Sequence, residues 1–178
     1  SLFFDNRDTV DELLKRSDVA MYQAKNAGRN AIRFFDPAMQ IDLEARTALE
    51  ADLRHALTSE QLSLHYQPQV DQNRTIVGAE ALLRWQHPHF GLVQPSDFIP
   101  LLEDTGLIVP VGLWVIKEAC RQQKEWEVQF GVAVTVAVNL SPLQLRHDRL
   151  ADDVAQVLRE VDIPASRLYF EVTESMLM

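Results

Sequence analysis

Residues 62–85 read LSLHYQPQVDQNRTIVGAEALLRW, and this stretch decides the fold class of the chain. Two apolar runs, 62–70 and 75–85, flank the polar segment DQNR, a pattern that predicts a β-hairpin. Beyond the hairpin the pattern predicts helices at 96–105, 109–128 and 148–161, and strands at 132–141 and 168–174. Strands that alternate with helices predict parallel βα units, hence an α/β fold. Their nearly continuous apolar runs indicate burial on both faces.

The first 60 residues have a different pattern. Apolar spacing over 8–26 predicts a helix that Asp8 or Thr9 caps and Gly28 closes. The run AIRFFD at 31–36 predicts a short strand, and 37–60 predicts a helix with one apolar side that links two regions. Both ends of the sequence look cut, since it opens on SLFFDN and ends on SMLM directly after a predicted strand.

Composition excludes several classes of protein. The 178 residues are 47% hydrophobic, which supports a core of ordinary size. The formal net charge of −9 argues against DNA or RNA binding by a basic surface. The single cysteine, Cys120, excludes a disulfide framework and is interpreted as a buried helix residue. With no signal peptide and no membrane-spanning run, we expect a cytoplasmic protein or the cytoplasmic part of a membrane-anchored one.

Polar residues interrupt the apolar strands at a few positions. They are Glu80, Arg84, Asn139, Glu171 and Glu174. A carboxylate in an apolar strand is costly unless it is paired, hydrogen-bonded or bound to a metal ion. Carboxylate and amide oxygens are the ligands that Mg²⁺ and Mn²⁺ prefer. The pattern therefore predicts a shared site at the carboxyl ends of the strands, with Glu174 of opposite parity to Glu171 and better placed to orient a loop.

A structural interpretation remains open at this point. Glu80 and Arg84 share a strand face and could form a buried ion pair, while Asn139 caps the helix after NLSP. Gln67, before a proline, could read a nucleobase or satisfy the nearby backbone. His87 and His89 are interpreted as a solvated turn rather than as a metal-binding pair.

The motifs nevertheless resemble a known family. The segments are YQPQV, AEALLRW, HPHFGLVQPSDFIPLLEDTGLI, VNLSPLQL and FEVTES. In this order and spacing they resemble the first half of an EAL domain over residues 50–178, with the signature itself at 80–82. Residues 1–36 resemble the carboxyl end of a GGDEF domain, without its cyclase signature. This predicts a GGDEF tail at 1–36, a linker helix at 37–60 and a truncated EAL domain at 61–178.

The resemblance implies both a fold and an activity. The fold is a partial TIM-barrel-like α/β fold in which one antiparallel strand joins a mostly parallel set. The activity is the hydrolysis of cyclic di-GMP to linear pGpG with two Mg²⁺ or Mn²⁺ ions, in a protein that is expected to form a homodimer. The roles carried over are metal binding for Glu80, Asn139 and Glu171, catalysis for Glu80, Glu171 and Glu174, and substrate binding for Gln67 and Arg84.

The family pattern continues after Met178 with a DDFG segment, a lysine and a glutamate that complete the catalytic group. We therefore expect the 178-residue piece alone to be inactive and unstable, because a half-barrel leaves strand edges unpaired. Two other functions stay open. One is a cyclic di-GMP receptor without chemistry, and the other is a signalling or scaffold module that dimerises through the 37–60 helix.

Overall fold

The computed structural model describes residues 9–26 and 30–172. The chain forms two compact units, Ser1–Asp52 and Leu53–Met178. Within the described ranges, no helix combines the length and the apolar character needed to cross a membrane. The boundaries predicted at 36 and 60 are not tested by these two units and stay predictions.

Helix α1 of the first unit spans Val10–Asn26. Thr9, one of the two caps predicted from the sequence, caps this helix. The Glu12 amide donates to Thr9 Oγ1 at 3.3 Å, and the Thr9 amide donates to Glu12 Oε2 at 3.0 Å. This reciprocal pair satisfies two donors that a helix start leaves free. The hydrogen bond from the Thr9 amide also holds the pKa of the Glu12 carboxyl below its ordinary value. Gly28, the predicted end, lies outside the described residues.

The strand predicted at 31–36 is wrong. Residues 31–36 contain neither helix nor strand, and Ile32 is 86% exposed. A strand needs a neighbour to satisfy its backbone groups, and none of the described strands pairs with this run. An apolar sequence alone was therefore insufficient evidence for a strand.

Helix α2 spans Pro37–Ala56, so the helix predicted to 60 ends earlier. Asp36 caps its start, since Oδ1 accepts the Ala38 amide at 2.9 Å. At its end the amides of Thr58 and Ser59 turn back to the His55 carbonyl, each at 3.0 Å. These bonds close the helix, and a turn at 57–60 follows, in which Glu60 has φ 56°.

The second unit begins with the predicted hairpin. Strand β1, Leu62–Val70, pairs antiparallel with β2, Ile76–His87. In the turn, Asp71 Oδ1 accepts the amides of Asn73 and Thr75, each at 2.8 Å. An aspartate that binds its own turn in this way stabilises the hairpin without glycine.

The remaining elements build a mixed sheet covered by helices. In chain order they are β3 Gly91–Val93, α3 Pro95–Asp104, α4 Ile108–Phe130, β4 Thr135–Asn139, α5 Pro142–Leu145, α6 Leu150–Val161, a 3₁₀ turn Ala165–Arg167 and β5 Leu168–Glu171. The strand order is β1-β2-β4-β5, and β3 pairs with the end of β2. β2, β4 and β5 are parallel, while β1 is antiparallel to β2. The predicted partial TIM-barrel-like α/β fold is confirmed.

The segment 86–95, between the predicted hairpin and the helix predicted at 96–105, contains more structure than its prolines indicate. β2 continues to His87, and β3 pairs back on it after a turn at 88–90; Gly91, the first residue of β3, has φ 69°. His87 is 1% exposed, and its Nδ1 accepts the amides of His89 and Phe90 at 3.1 and 3.2 Å. The prediction of a solvated turn is thus wrong for His87, which stabilises the turn from inside.

The core lies between the helices and one face of the sheet. Alternate residues of β2 and β4 are buried on this face: Ala79, Ala81, Trp85, Val136 and Val138. α4 contributes the buried residues Val115, Ile116 and Ala119. Each buried Val or Ile side chain contributes about 1.5–3 kcal/mol. Cys120 is also buried, as interpreted from the sequence, and burial raises the pKa of its thiol to about 11.

Gln123 joins α4 to the starts of two strands. Its side chain is 1% exposed, and Nε2 donates to the carbonyls of Val134 and, at 3.1 Å, Arg167. Val134 precedes β4, and Arg167 precedes β5. A single buried amide therefore holds together the amino ends of the two parallel strands.

We expect Gln123→Leu to lower the free energy of unfolding by about 1–3 kcal/mol, because it leaves buried carbonyls without a donor. Urea unfolding followed by circular dichroism measures the change. The matched control is Gln122→Leu, on the half-exposed neighbour that bonds only to Glu125 among its described partners. That control should stay within about 0.5 kcal/mol of the unsubstituted protein. Equal losses in both variants would contradict the assigned role of Gln123.

Candidate active site

The candidate site residues lie on the sheet face opposite the helices. Directly paired residues of neighbouring strands point to the same face. The register pairs Gln67 with Glu80 and Asn139 with Glu171. Glu80 also pairs with Ala137, two residues before Asn139, and side chains two apart share a face. The structure thus brings these four polar side chains to one face of four adjacent strands.

Glu80 and Asn139 are in direct contact. Asn139 Nδ2 donates to Glu80 Oε1 at 2.7 Å across the β2–β4 pair. Glu80 is half-buried and Asn139 is exposed. Because the amide nitrogen is the donor here, Oδ1 is the atom that Asn139 can offer to a cation.

Glu171 ends β5 beside Asn139. Its carbonyl accepts the Leu140 amide at 2.9 Å, which fastens the chain directly after Asn139. Its carboxylate Oε1 accepts from Gln69 Nε2 at 3.5 Å, a long and weak hydrogen bond. Sequence reasoning missed Gln69. The signal for it was the alternation of β1, which puts Gln69 on the same face as Gln67.

Arg84 shares this face but does not pair with Glu80. Its Nη1 donates to the Leu83 carbonyl at 2.8 Å, and none of the ion pairs between described residues joins it to Glu80. The structural alternative of a Glu80–Arg84 ion pair is therefore wrong. Arg84 keeps a cationic group near the site that is not neutralised by the neighbouring carboxylate.

The second half of that alternative is also wrong, because Ser141 caps the helix after β4. Ser141 Oγ accepts the Leu143 amide at 3.3 Å, and the Ser141 amide donates to Gln144 Oε1 at 3.1 Å. This capping box satisfies the start of α5. Asn139 is not needed as a cap, and its side chain is directed to Glu80.

The donor set fits a hard divalent cation. Two carboxylates and one amide oxygen are the ligands that Mg²⁺ and Mn²⁺ prefer, and all three come from one face of the adjacent strands β2, β4 and β5. In residues 9–26 and 30–172, no group of three or more His, Cys, Asp or Glu side chains is arranged to hold a metal ion. A cation held by Glu80 and Glu171 would take its third protein oxygen from the amide of Asn139.

The sequence model of the EAL domain family matches residues 50–178. The chain belongs to the EAL domain family. The Glu80-Ala81-Leu82 signature lies in β2, with Glu80 on the sheet face that carries the candidate site and Ala81 in the core. The family thus explains why this strand carries a carboxylate between buried apolar residues.

The curated relatives of this EAL domain chain include proteins named as cyclic di-GMP phosphodiesterases. It is 45% identical over 179 residues to the "Bifunctional diguanylate cyclase/cyclic di-GMP phosphodiesterase MucR" of Pseudomonas aeruginosa, covering 100% of this chain and 26% of that protein. It is 39% identical over 166 residues to the "Cyclic di-GMP phosphodiesterase PdeR" of Escherichia coli, covering 93% and 25%. The chain therefore spans about a quarter of the length of these relatives.

Solved structures agree on the fold. "PaMucR Phosphodiesterase, c-di-GMP complex" is 49% identical with a TM-score of 0.70, covering 74% of this chain and 53% of that chain. "Crystal structure of FimX EAL domain from Pseudomonas aeruginosa bound to c-di-GMP" is 25% identical with a TM-score of 0.63, covering 71% and 50%. Both are described as complexes with cyclic di-GMP.

The EAL domain also has a cavity of about 290 Å³ beside the candidate site. Its polar wall contains Arg84, Asn139, Glu103 and Ser141. The rest of the wall is mostly apolar, from β2, α3 and α4. Glu174, the remaining predicted site residue, lies outside the described residues, so its role stays a prediction.

Proposed function

We propose that this EAL domain takes part in the metal-dependent hydrolysis of cyclic di-GMP to linear pGpG. The observation that carries the proposal is the contact between Glu80 and Asn139, with Glu171 beside them on the same face. The names of the relatives support the substrate. In TIM-barrel-like folds, active sites lie at the carboxyl ends of the strands, where Asn139 and Glu171 end β4 and β5.

Each residue has a proposed role. Glu80, Asn139 and Glu171 would hold Mg²⁺ or Mn²⁺ through their side-chain oxygens, with two ions expected in the complete domain. Ions held there would supply the positive charge that polarises a phosphoryl oxygen and lowers the pKa of a bound water. The water oxygen bonds to phosphorus, one ring ester P–O bond breaks, and the leaving oxygen takes a proton as the nucleotide opens.

The other predicted residues bind substrate or support the site. Arg84 contributes positive charge to the phosphate, and its guanidinium has donors beyond the one that contacts Leu83. Gln67, exposed and paired with Glu80 in the register, contacts the nucleotide. Glu174 steadies a loop near the cations. Together these roles need cations, because the chain carries a formal net charge of −9.

The test uses the longest natural protein that contains this sequence. Purified protein is incubated with cyclic di-GMP and Mg²⁺ or Mn²⁺, and chromatography measures pGpG. We expect turnover that EDTA abolishes and added Mn²⁺ restores. Binding of cyclic di-GMP without turnover would instead favour the receptor function, and association without metal or nucleotide would favour a scaffold.

The wider organisation is also proposed. Residues 1–36 are proposed as a GGDEF tail and 37–60 as a linker in a cytoplasmic GGDEF–EAL protein that forms a homodimer. The name of the Pseudomonas aeruginosa relative, which combines a diguanylate cyclase with a phosphodiesterase, supports this arrangement. The inactivity expected of the 178-residue piece stays a prediction.

A further inference from the structure

The turn that follows Asn139 is held from α3 by a carboxylate that the motifs do not single out. Ser141 Oγ donates to Glu103 Oε1 at 2.6 Å. We infer that Glu103 is a positioning residue, which acts through Ser141 to hold Asn139 where it contacts Glu80. This inference rests on the proposed function for its significance, since Asn139 is a proposed cation ligand.

The hydrogen bond has the features of a strong contact. A hydroxyl that donates to a carboxylate forms bonds of 2.5–2.7 Å, about twice as strong as those between neutral groups. Ser141 is 5% exposed, so water competes little for its hydroxyl. Glu103 lies in the last turn of α3, whose neighbours Leu101 and Leu102 are buried in the core. The carboxylate is therefore mounted on a rigid element.

Two further contacts hold the same turn. Gln144 Oε1 accepts the Ser141 amide, and the Gln144 side chain lies directly over Gly112 of α4, where an added Cβ would stand 1.8 Å from Nε2. On the other side, the Leu140 amide donates to the Glu171 carbonyl of β5. The segment after Asn139 thus has anchors on α3, α5 and β5, and only the α3 anchor bears a charge.

Glu103 is assigned to positioning rather than to catalysis because of where its carboxylate is engaged. Oε1 accepts the Ser141 hydroxyl, and Ser141 is two residues from Asn139 along the chain. Because Ser141 and Asn139 are separated only by Leu140, the position of the Ser141 turn constrains the end of β4 that carries Asn139. Removing Glu103 should therefore release Asn139 from Glu80 and weaken cation binding without removing any ligand.

The test compares Mn²⁺ affinity and structure in the longest natural protein that contains this sequence. Calorimetry without nucleotide should show Mn²⁺ binding weakened about 10–100-fold in Glu103→Ala, as for other residues that support metal ligands. Glu103→Gln keeps an acceptor oxygen and should recover most of the affinity. Ser141→Ala should match Glu103→Ala, and the double variant should lose no more than either alone.

The matched control is Glu127→Ala. Glu127 on α4 also holds a strand-flanking segment, through Arg167 at 2.9 and 3.3 Å, but at the opposite end of β5. It should lower stability and leave Mn²⁺ affinity unchanged. Wild-type affinity in Glu103→Ala, or equal weakening in Glu127→Ala, would overturn the inference.

A crystal structure of Glu103→Ala keeps this test separate from that of the proposed function. Loss of the 2.7 Å contact between Asn139 and Glu80 supports the positioning role, whether or not the wild type hydrolyses cyclic di-GMP. An unchanged Asn139 in that crystal overturns the positioning role. Absence of turnover in the wild type counts against the proposed function alone.

Discussion

Glu80→Gln is expected to lower the rate of cyclic di-GMP hydrolysis at least about 100-fold. Substituting residues that only support metal ligands already lowers metal affinity or activity about 10–100-fold. Glutamine has the same shape, and its amide oxygen can still accept the hydrogen bond that Asn139 donates to Glu80 at 2.7 Å. The negative charge that would hold a cation is lost. The free energy of unfolding should change by no more than about 1 kcal/mol. Steady-state kinetics with a Mn²⁺ titration measures the effect on the rate.

The control for Glu80→Gln is Glu160→Gln. Glu160 lies on α6, where its carboxylate forms a surface ion pair with Lys117 at 3.0 Å. Its substitution by glutamine removes one negative charge, as Glu80→Gln does. The Glu160→Gln variant should hydrolyse cyclic di-GMP at the unsubstituted rate, because this exposed ion pair lies on the helices and not on the sheet face that carries Glu80. Ordinary metal-dependent turnover in Glu80→Gln would rule out Glu80 as a ligand.

Trp85→Ala should give the largest loss of stability, about 3–5 kcal/mol. Trp85 is fully buried, its indole Nε1 donates to Gln61 Oε1 at 3.0 Å, and its ring contacts Phe98 edge-on at 5.6 Å. Alanine leaves a cavity under β2 and removes the donor. A loss of this size is a large fraction of the 5–15 kcal/mol that stabilises a typical domain. Urea unfolding followed by circular dichroism gives the midpoint and slope.

Trp126→Ala is the matched control for Trp85→Ala. Trp126 is half-buried on α4, where it contacts Tyr66 edge-on at 4.9 Å. Trp126→Ala should lower the free energy of unfolding clearly less than Trp85→Ala does, because water or neighbouring side chains can fill the space at a half-buried position. Losses of equal size would show that Trp85 does not anchor β2.

The hairpin was predictable because each of its signals is local. Alternation gave the strands, and the polar DQNR segment gave the turn that Asp71 closes. The same alternation correctly put Glu80 and Arg84 on one face. It could not show that Arg84 bonds to a backbone carbonyl instead of to Glu80, since that choice depends on the neighbouring strands.

Failures occurred where a feature depends on distant partners. Residues 31–36 have the composition of a strand but no described strand pairs with them. His87 has a loop-like sequence setting yet is buried, because β3 folds back over it. Gln69 and Glu103 lie within the quoted segments YQPQV and HPHFGLVQPSDFIPLLEDTGLI, but the sequence assigned neither a role, because their contacts are with the distant β5 and the turn after β4.

The order of strands and helices, the chemistry of the oxygen donors and the family resemblance came from the sequence, because period and residue type are local properties. Tertiary structure decided which donors meet. Asn139 reaches Glu80 across 59 positions of sequence, and Ser141 reaches Glu103 across 38. The contact between Asn139 and Glu80 depends on the register of the parallel strands β2 and β4, and a slip of one residue would turn every side chain of a strand to the other face. The contact between Ser141 and Glu103 depends on where α3 lies beside the turn after β4, and no single stretch of sequence encodes either arrangement.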